Sequence, residues 1–423
     1  MVAQPPDDIS QRASIVDSDY LLIGGGVASY NAAKRIRRID ASARIVMVSD
    51  DSLPPYHLPP LSKEFLRGEQ SEGDIVYPDL VAMGGPIDIH LSTSVTDLDP
   101  AGHEAGLDNG LRISFRKALL ATGGTPILLP VPGAELEGIY YVRTANDARR
   151  IGAAAATARH AVVIGAGFIG LEVAASLRKL GLSVTVVEAQ ARIWPRFADP
   201  AIAEVVRERC AAEGVTFLTG ERVESVNGDS HVRAVVTASG LEIECDLLCV
   251  GIGIIPNTNL ASAAGLEIAN GIVVDHTMQS SAPDIFAAGD VANYPDPICG
   301  RRLRAEHWGH AEYSGQLAAR NMCGDAAEYD FINYAWSDVF DLHIESAGHI
   351  EDHDTVIVRG NISDTSFSSL YLNNGVLVGY CAVNQAPKEF ATYRRLIRSH
   401  QPLSDHVTSL RDTQFDVRSL VSA

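Results

Sequence analysis

Apolar and polar positions run through the same series of signals twice in this chain. Tyr20-Leu21-Leu22-Ile23 is an unbroken apolar run that enters Gly24-Gly25-Gly26. A helical pattern follows from Ala28 to about Ile39, and Ala43 to Val48 reads as a second strand that ends at Ser49-Asp50-Asp51. Strand, glycine turn, helix and strand make a βαβ unit. The series returns at Ala161-Val162-Val163-Ile164, which enters Gly165-Ala166-Gly167-Phe168-Ile169-Gly170. That helix runs to Leu180, Gly181 closes it, and Ser183 to Glu188 forms the next strand.

Two further apolar runs end in glycine-rich turns: Leu119 to Pro126, and Leu247 to Gly253. They mark the points where the chain leaves and re-enters the first domain, and Ile285 to Asp290 supplies a late strand of it. From about Phe331 the pattern changes to short alternating strands, such as Thr355 to Arg359 and Leu370 to Leu372, beside the hairpin turn Asn373-Asn374-Gly375. This predicts a smaller α+β domain at the C-terminal end.

A chain of 423 residues has room for two or three domains. Its 46% hydrophobic and 21% charged residues place it with ordinary soluble globular proteins. No apolar run is long enough to span a bilayer. Residues 1–16 are polar, with neither an apolar signal core nor a basic amphipathic face, so they read as a loose leader and predict a cytosolic protein. A net charge of −19 argues against nucleic acid as a partner. The six cysteines are scattered, and only Cys245 and Cys249 are close. They lack neighbouring ligands for a metal, so a place in the core is favoured over a redox or metal role. No cysteine pair adjoins either glycine loop, where a flavin disulfide reductase needs one.

The second loop carries the stronger chemistry. Gly165, Gly167 and Gly170 allow a tight turn and close approach of the backbone to a pyrophosphate, while the helix N-terminus offers amides to it. Glu188 ends the next strand about twenty residues on, where a carboxylate accepts from ribose hydroxyls and repels a 2′-phosphate. That favours NAD over NADP, although Arg192 and Arg196 are near enough to weaken the preference. In the first loop Ser29 stands where the third glycine would be. Asp50 is the corresponding ribose acid and Asp51 its near alternative. Two such units predict two dinucleotides, one held permanently and one exchanging. The proline-rich segment Pro54 to Lys63 is stiff, and by its residues alone it reads as a surface linker that ends in a solvated lysine.

Taken in order, the first glycine loop, Pro59-Pro60-Leu61-Ser62-Lys63, Ala121 to Pro126, the second glycine loop, Val250-Gly251-Ile252-Gly253 with Pro256-Asn257, and Ala287-Ala288-Gly289-Asp290 resemble the FAD-dependent ferredoxin reductases of bacterial oxygenase systems. The putidaredoxin and biphenyl dioxygenase reductases are their type members. The resemblance runs from about Asp19 to about Ile397. Apoptosis-inducing factor and monodehydroascorbate reductase look similar over most of the same stretch.

The resemblance implies an α/β fold with two Rossmann-like dinucleotide-binding domains of the glutathione-reductase kind and a small α+β C-terminal domain. It assigns 17–126 and 247–329 to FAD binding, 127–246 to NAD binding and 330–423 to the last domain. Gly24, Gly26 and Ala28 would meet the FAD pyrophosphate, Asp50 its ribose, and Val95 the adenine side. Lys63, paired with Glu172, would lie beside the flavin ring, near Arg143, Asp290 and Trp308. Gly165, Gly167, Gly170, Glu188, Arg196 and Gly253 would hold NADH. Trp336 reads either as an aromatic beside the flavin or as an ordinary core tryptophan.

The activity implied is hydride transfer from NADH to FAD, with Lys63 and Glu172 as the catalytic pair, and then electron transfer to a two-iron two-sulfur ferredoxin that feeds an oxygenase. An acidic reductase needs a local basic patch for such a partner. Arg301, Arg302 and Arg304 form one candidate, and Arg394, Arg395 and Arg398 another. The alternatives are a small-molecule reductase acting on a quinone or an ascorbate radical, and a redox-sensing module. His57-Leu58, His307, Gln279 and Tyr334-Ala335-Trp336 depart from the usual pattern; none touches hydride transfer, and the last two bear on the acceptor surface.

Overall fold

The computed structural model describes residues 15–78, 87–194 and 199–421. Three five-stranded sheets organise them. The first is wholly parallel, in the order Ile285–Ala287, Lys117–Leu120, Tyr20–Ile23, Ile45–Val48, Ile87–His90. Its central strands are buried along their whole length, which explains why they read as continuous apolar runs rather than alternations. Helix Val27–Ile39 packs against helix Trp308–Met322, and the fit is close. A methyl group on Gly315 would lie 2.2 Å from the carbonyl oxygen of Ala28.

The second sheet is also parallel, in the order Ile139–Tyr141, Leu247–Val250, His160–Ile164, Ser183–Glu188, Val215–Thr219. Strand Leu247–Val250 therefore does not begin the return to the first domain, as its glycine-ended pattern suggested. It sits inside the second sheet, paired on both sides, and the chain returns only past Gly251. A buried parallel strand looks the same in sequence whichever sheet it joins. Cys245 and Cys249 are buried here, Cys249 within the strand, and burial pushes both thiols up to about 12.

The third sheet is antiparallel, in the order Tyr334–Val339, Leu342–Gly348, Val376–Val383, Ser366–Asn373, Thr355–Asn361. Burial alternates along Tyr334–Val339, as a half-covered strand requires. The two-residue turn Asn374-Gly375 joins paired Asn373 and Val376. Both turn residues have positive φ, 48° and 77°, the twist that suits a hairpin. Helix Pro387–Ser399 covers this sheet with Phe390, Tyr393, Leu396 and Ile397. Among the described residues no helix is long and apolar enough to cross a membrane.

Candidate active site

Both glycine loops are built alike. Gly24 (φ +110°) and Gly165 (φ +96°) lie in the left-handed region, and a methyl group there would fall 2.2 Å from Ala121 O and 2.4 Å from Gly251 O. Each strand end thus presses against a neighbouring strand's turn. At Gly26 and Gly167 the opposite holds, because a methyl group there would meet nothing within 4 Å. The helices start at the next residue and neither has a side-chain cap, so their first amides face open space. Such a cradle fits a pyrophosphate, and the residues present therefore suit two dinucleotides. Gly170 sets the second helix on its strand, where a methyl group would lie 2.0 Å from Gly165 O. Ser29, at the matching place in the first loop, is fully buried, and its hydroxyl has no partner among the described residues. Ala28 is buried beside it.

The acids that follow the loops differ. Glu188 is drawn into its loop, accepting from Ala166 N at 2.7 Å and Gln190 N at 2.8 Å. Asp50 is exposed just past its strand. Asp51 is occupied internally, because its carboxylate accepts from Tyr56 Oη at 2.6 Å and Leu53 N at 3.1 Å and so holds the proline-rich segment. Of the two acids, only Asp50 is left facing outward. Val95 opens strand Val95–Asp99 and packs on the first core. Arg196 lies outside the described residues, as do most residues of the leader.

A cavity of about 820 Å³ runs between the second glycine loop and the first domain. Lys63, Arg143, Glu172, Gly253, Asp290, Trp308 and Trp336 all line it. Lys63 closes the 3-10 turn Pro59–Ser62 and is buried, not solvated as the linker reading had it. Its Nζ is 3.4 Å from Glu172 Oε1 and 3.4 Å from Asp338 Oδ2. Glu172, in helix Phe168–Lys179, also accepts from Ser62 Oγ (2.5 Å) and Ser337 Oγ (2.7 Å). Burial raises the Glu172 carboxyl above the usual range, outweighing Lys63's charge and the two hydroxyls. Burial would raise Asp338 too, but a 2.6 Å hydrogen bond with His343 and the charge on Lys63 hold it below the usual range. The same bond raises the imidazole of His343.

Arg143 Nη1 pairs with Asp290 Oδ2 at 3.3 Å on the cavity wall. The Trp308 Nε1–H donates to Tyr77 Oη at 3.2 Å, and its ring meets Trp336 edge-on at 5.8 Å. Trp336 is thus a half-buried cavity wall rather than a core tryptophan. Ser62, Ser337, Asp338 and His343 have no role legible in the sequence, although Ser62 stands inside the Pro59 to Lys63 motif. Lys63 and Asp338 lie 275 positions apart, and only the docking of the third sheet joins them.

Two arginines of the first cluster are engaged within the chain. The Arg302 guanidinium donates to Asn293 Oδ1 and to the carbonyls of Val274 and Asn293, and Arg304 pairs with Glu306. In the second cluster Arg394 pairs with Glu345 and lies over the Tyr334 ring, whereas Arg395 and Arg398 are exposed.

Two parallel glycine-loop domains that share one cavity, with a buried lysine–carboxylate pair in its wall, define a flavoprotein oxidoreductase that uses a pyridine nucleotide. Residues 18–315 match the pyridine nucleotide-disulphide oxidoreductase family and 334–421 the reductase C-terminal domain, and the chain belongs to this family. It is similar to the probable ferredoxin reductase CtmF of Castellaniella defragrans, with 33% identity over 95% of this chain and 98% of that one. It is 34% identical to the rubredoxin-NAD(+) reductase of Pseudomonas putida, over 88% of this chain and 97% of that one. Among solved structures it is similar to the ferredoxin reductase for the CYP199A2 system from Rhodopseudomonas palustris. That match has a TM-score of 0.91 and 32% identity, and covers 96% of this chain and 100% of that one.

Proposed function

We propose that this protein is an NADH:ferredoxin reductase that delivers electrons to a two-iron two-sulfur ferredoxin and, through it, to an oxygenase. The observation that carries this reading is the buried Lys63–Glu172 pair opening onto a cavity shared with the second glycine loop. FAD, when bound, supplies hydride acceptance and single-electron release, the conversion that links a two-electron donor to a one-electron carrier. Gly24, Gly26 and Ala28 would hold its pyrophosphate and Asp50 its ribose, with Val95 on the adenine side. Lys63, Arg143, Asp290 and Trp308 would surround its ring system. Gly165, Gly167, Gly170, Glu188, Arg196 and Gly253 would hold NADH.

The chain's own contribution is alignment and charge. Lys63 places a cation in a mostly dry site, where it stabilises negative charge that develops in the cavity more strongly than it would in water. Glu172, anchored by Ser62 and Ser337, fixes the position of that ammonium group. Arg395 and Arg398, both exposed although Arg398 also donates to Asp330 O at 2.9 Å, are the cations we assign to meeting an acidic carrier on this net-negative protein.

The test is stopped-flow absorbance on the purified yellow protein. The flavin should bleach rapidly with NADH and more slowly with NADPH, then reoxidise on mixing with a two-iron two-sulfur ferredoxin at a rate that falls with salt. The rubredoxin-NAD(+) reductase relative favours a second acceptor, so rubredoxin is mixed in parallel. Faster transfer to rubredoxin would replace the ferredoxin. Transfer to neither would point to a small-molecule reductase or a sensor. No bleaching by either nucleotide would overturn hydride transfer itself.

A further inference from the structure

Away from the cavity, the loop between strands Ala292–Pro295 and Arg302–Leu303 faces the end of strand Leu342–Gly348 in the third sheet. Asp296, Cys299 and His349 meet there, and their possible ligand atoms all lie within 4.8 Å of one another. The loop is seated from both sides. Ile298 packs on the core of the third sheet, and the His349 backbone N–H donates to Val378 O at 2.8 Å.

Asp296 is the unusual member. Its side chain is only 2% exposed, and no Lys or Arg pairs with it among the described residues. Its three side-chain hydrogen bonds come from Ile298 N (2.9 Å), Cys299 N (3.0 Å) and His349 Nε2 (3.3 Å), and all fall on Oδ1. Buried carboxylates are normally paired with a cation or bound to a metal. The two backbone bonds also wrap the loop so that Cys299, half-buried, comes to the same side as the imidazole.

Carboxylate, thiolate and imidazole together suit a borderline-soft ion with tetrahedral geometry. Around zinc, ligand atoms sit about 2.0–2.3 Å from the metal and so roughly 3.3–3.8 Å from each other. The side chains would need to close by about an ångström, within rotamer adjustment of a loop and a strand end. We propose that Asp296, Cys299 and His349 form a zinc(II) site, with water as the fourth ligand, that straps this loop to the C-terminal domain. The site is separate from hydride transfer and independent of the acceptor's identity.

The flavin-loaded protein, stripped with a chelator, is titrated with Zn²⁺ against a chromophoric competitor and with Co²⁺, read at wavelengths beyond the flavin bands. One ion per chain is expected, together with a zinc-edge absorption spectrum showing one sulfur at about 2.3 Å. Zinc should raise the thermal midpoint of the wild type. Cys299→Ser and His349→Ala should each weaken binding by at least roughly tenfold, the loss expected even for a group that only supports a ligand, and should abolish the zinc-dependent rise in midpoint. Cys323→Ser should do neither. Unchanged bleaching by NADH in both variants shows that they are folded. Binding that is equally tight in both variants, a metal shell without sulfur, or no binding at one equivalent would overturn the site.

Discussion

At Lys63 one ammonium group sits 3.4 Å from each of two carboxylates, one fully buried and one partly exposed. Removing one partner of a buried pair leaves the other charge unmatched. Lys63→Met should therefore lower unfolding free energy by about 3 kcal/mol and slow flavin reduction by NADH. The double variant Lys63→Met/Glu172→Gln should regain most of the stability and none of the rate, which urea titration and stopped flow would separate. His343 carries the pH dependence. Its pKa is raised in the fold, so its bond to Asp338 contributes fully below the ordinary imidazole value of about 6.5 and fades as pH rises through the raised one. Asp338 is depressed, so its own contribution is lost only as pH falls through that lowered value. The stability difference between wild type and His343→Gln should thus be largest in mildly acidic solution and shrink towards alkaline pH. A pH-independent difference would contradict the pairing.

The glycine-loop helices separate two roles that look identical in sequence. Gly167 has open space where a methyl group would go, whereas Gly170 meets a backbone carbonyl at 2.0 Å. Gly167→Ala should leave the thermal midpoint unchanged and raise the KM for NADH, because the added methyl group enters only the open space where the nucleotide is proposed to lie. Gly170→Ala should cost about 1–3 kcal/mol by forcing helix Phe168–Lys179 off its strand. The acid that ends the next strand, Glu188, caps its loop amides, and on the proposed function it also receives a ribose. Glu188→Ala should lower kcat/KM for NADH and narrow the ratio over NADPH, which initial-rate kinetics with the two nucleotides would read. The strands, helices and turns of both units were legible because glycine turns and apolar runs are local signals. The sheet membership of Leu247–Val250 was not, because one strand pattern suits either sheet. The pairing of Lys63 with Glu172 came from the family resemblance and not from the residues alone, because the stiff proline segment looks like a surface linker until the second-unit helix and the third sheet close over it.

For the molecule as a whole, if the proposed acidic ferredoxin is the carrier, a net charge of −19 makes local arginines necessary, and the fold decides which of them can help. With Arg302, Arg304 and Arg394 engaged inside the chain, charge reversal at Arg395 and Arg398 should slow ferredoxin reduction several-fold at low salt and leave bleaching by NADH unchanged. An equal effect at high salt would contradict an electrostatic role. The sequence by itself determined the two βαβ units, the glycine turns, the N-terminal seats for two dinucleotides and the hairpin of the last domain, because each depends on residues close together along the chain. Tertiary structure alone decided that Asp51 turns inward while Asp50 faces out, that Lys63 is buried between Glu172 and Asp338, and that Asp296 and His349 face each other across a domain boundary. Lys63 meets partners 109 and 275 positions away, Asp296 and His349 lie 53 apart, and Tyr56, which holds Asp51 inward, is itself fixed against Ala145, so desolvation and tertiary contact rather than any local pattern decide these choices.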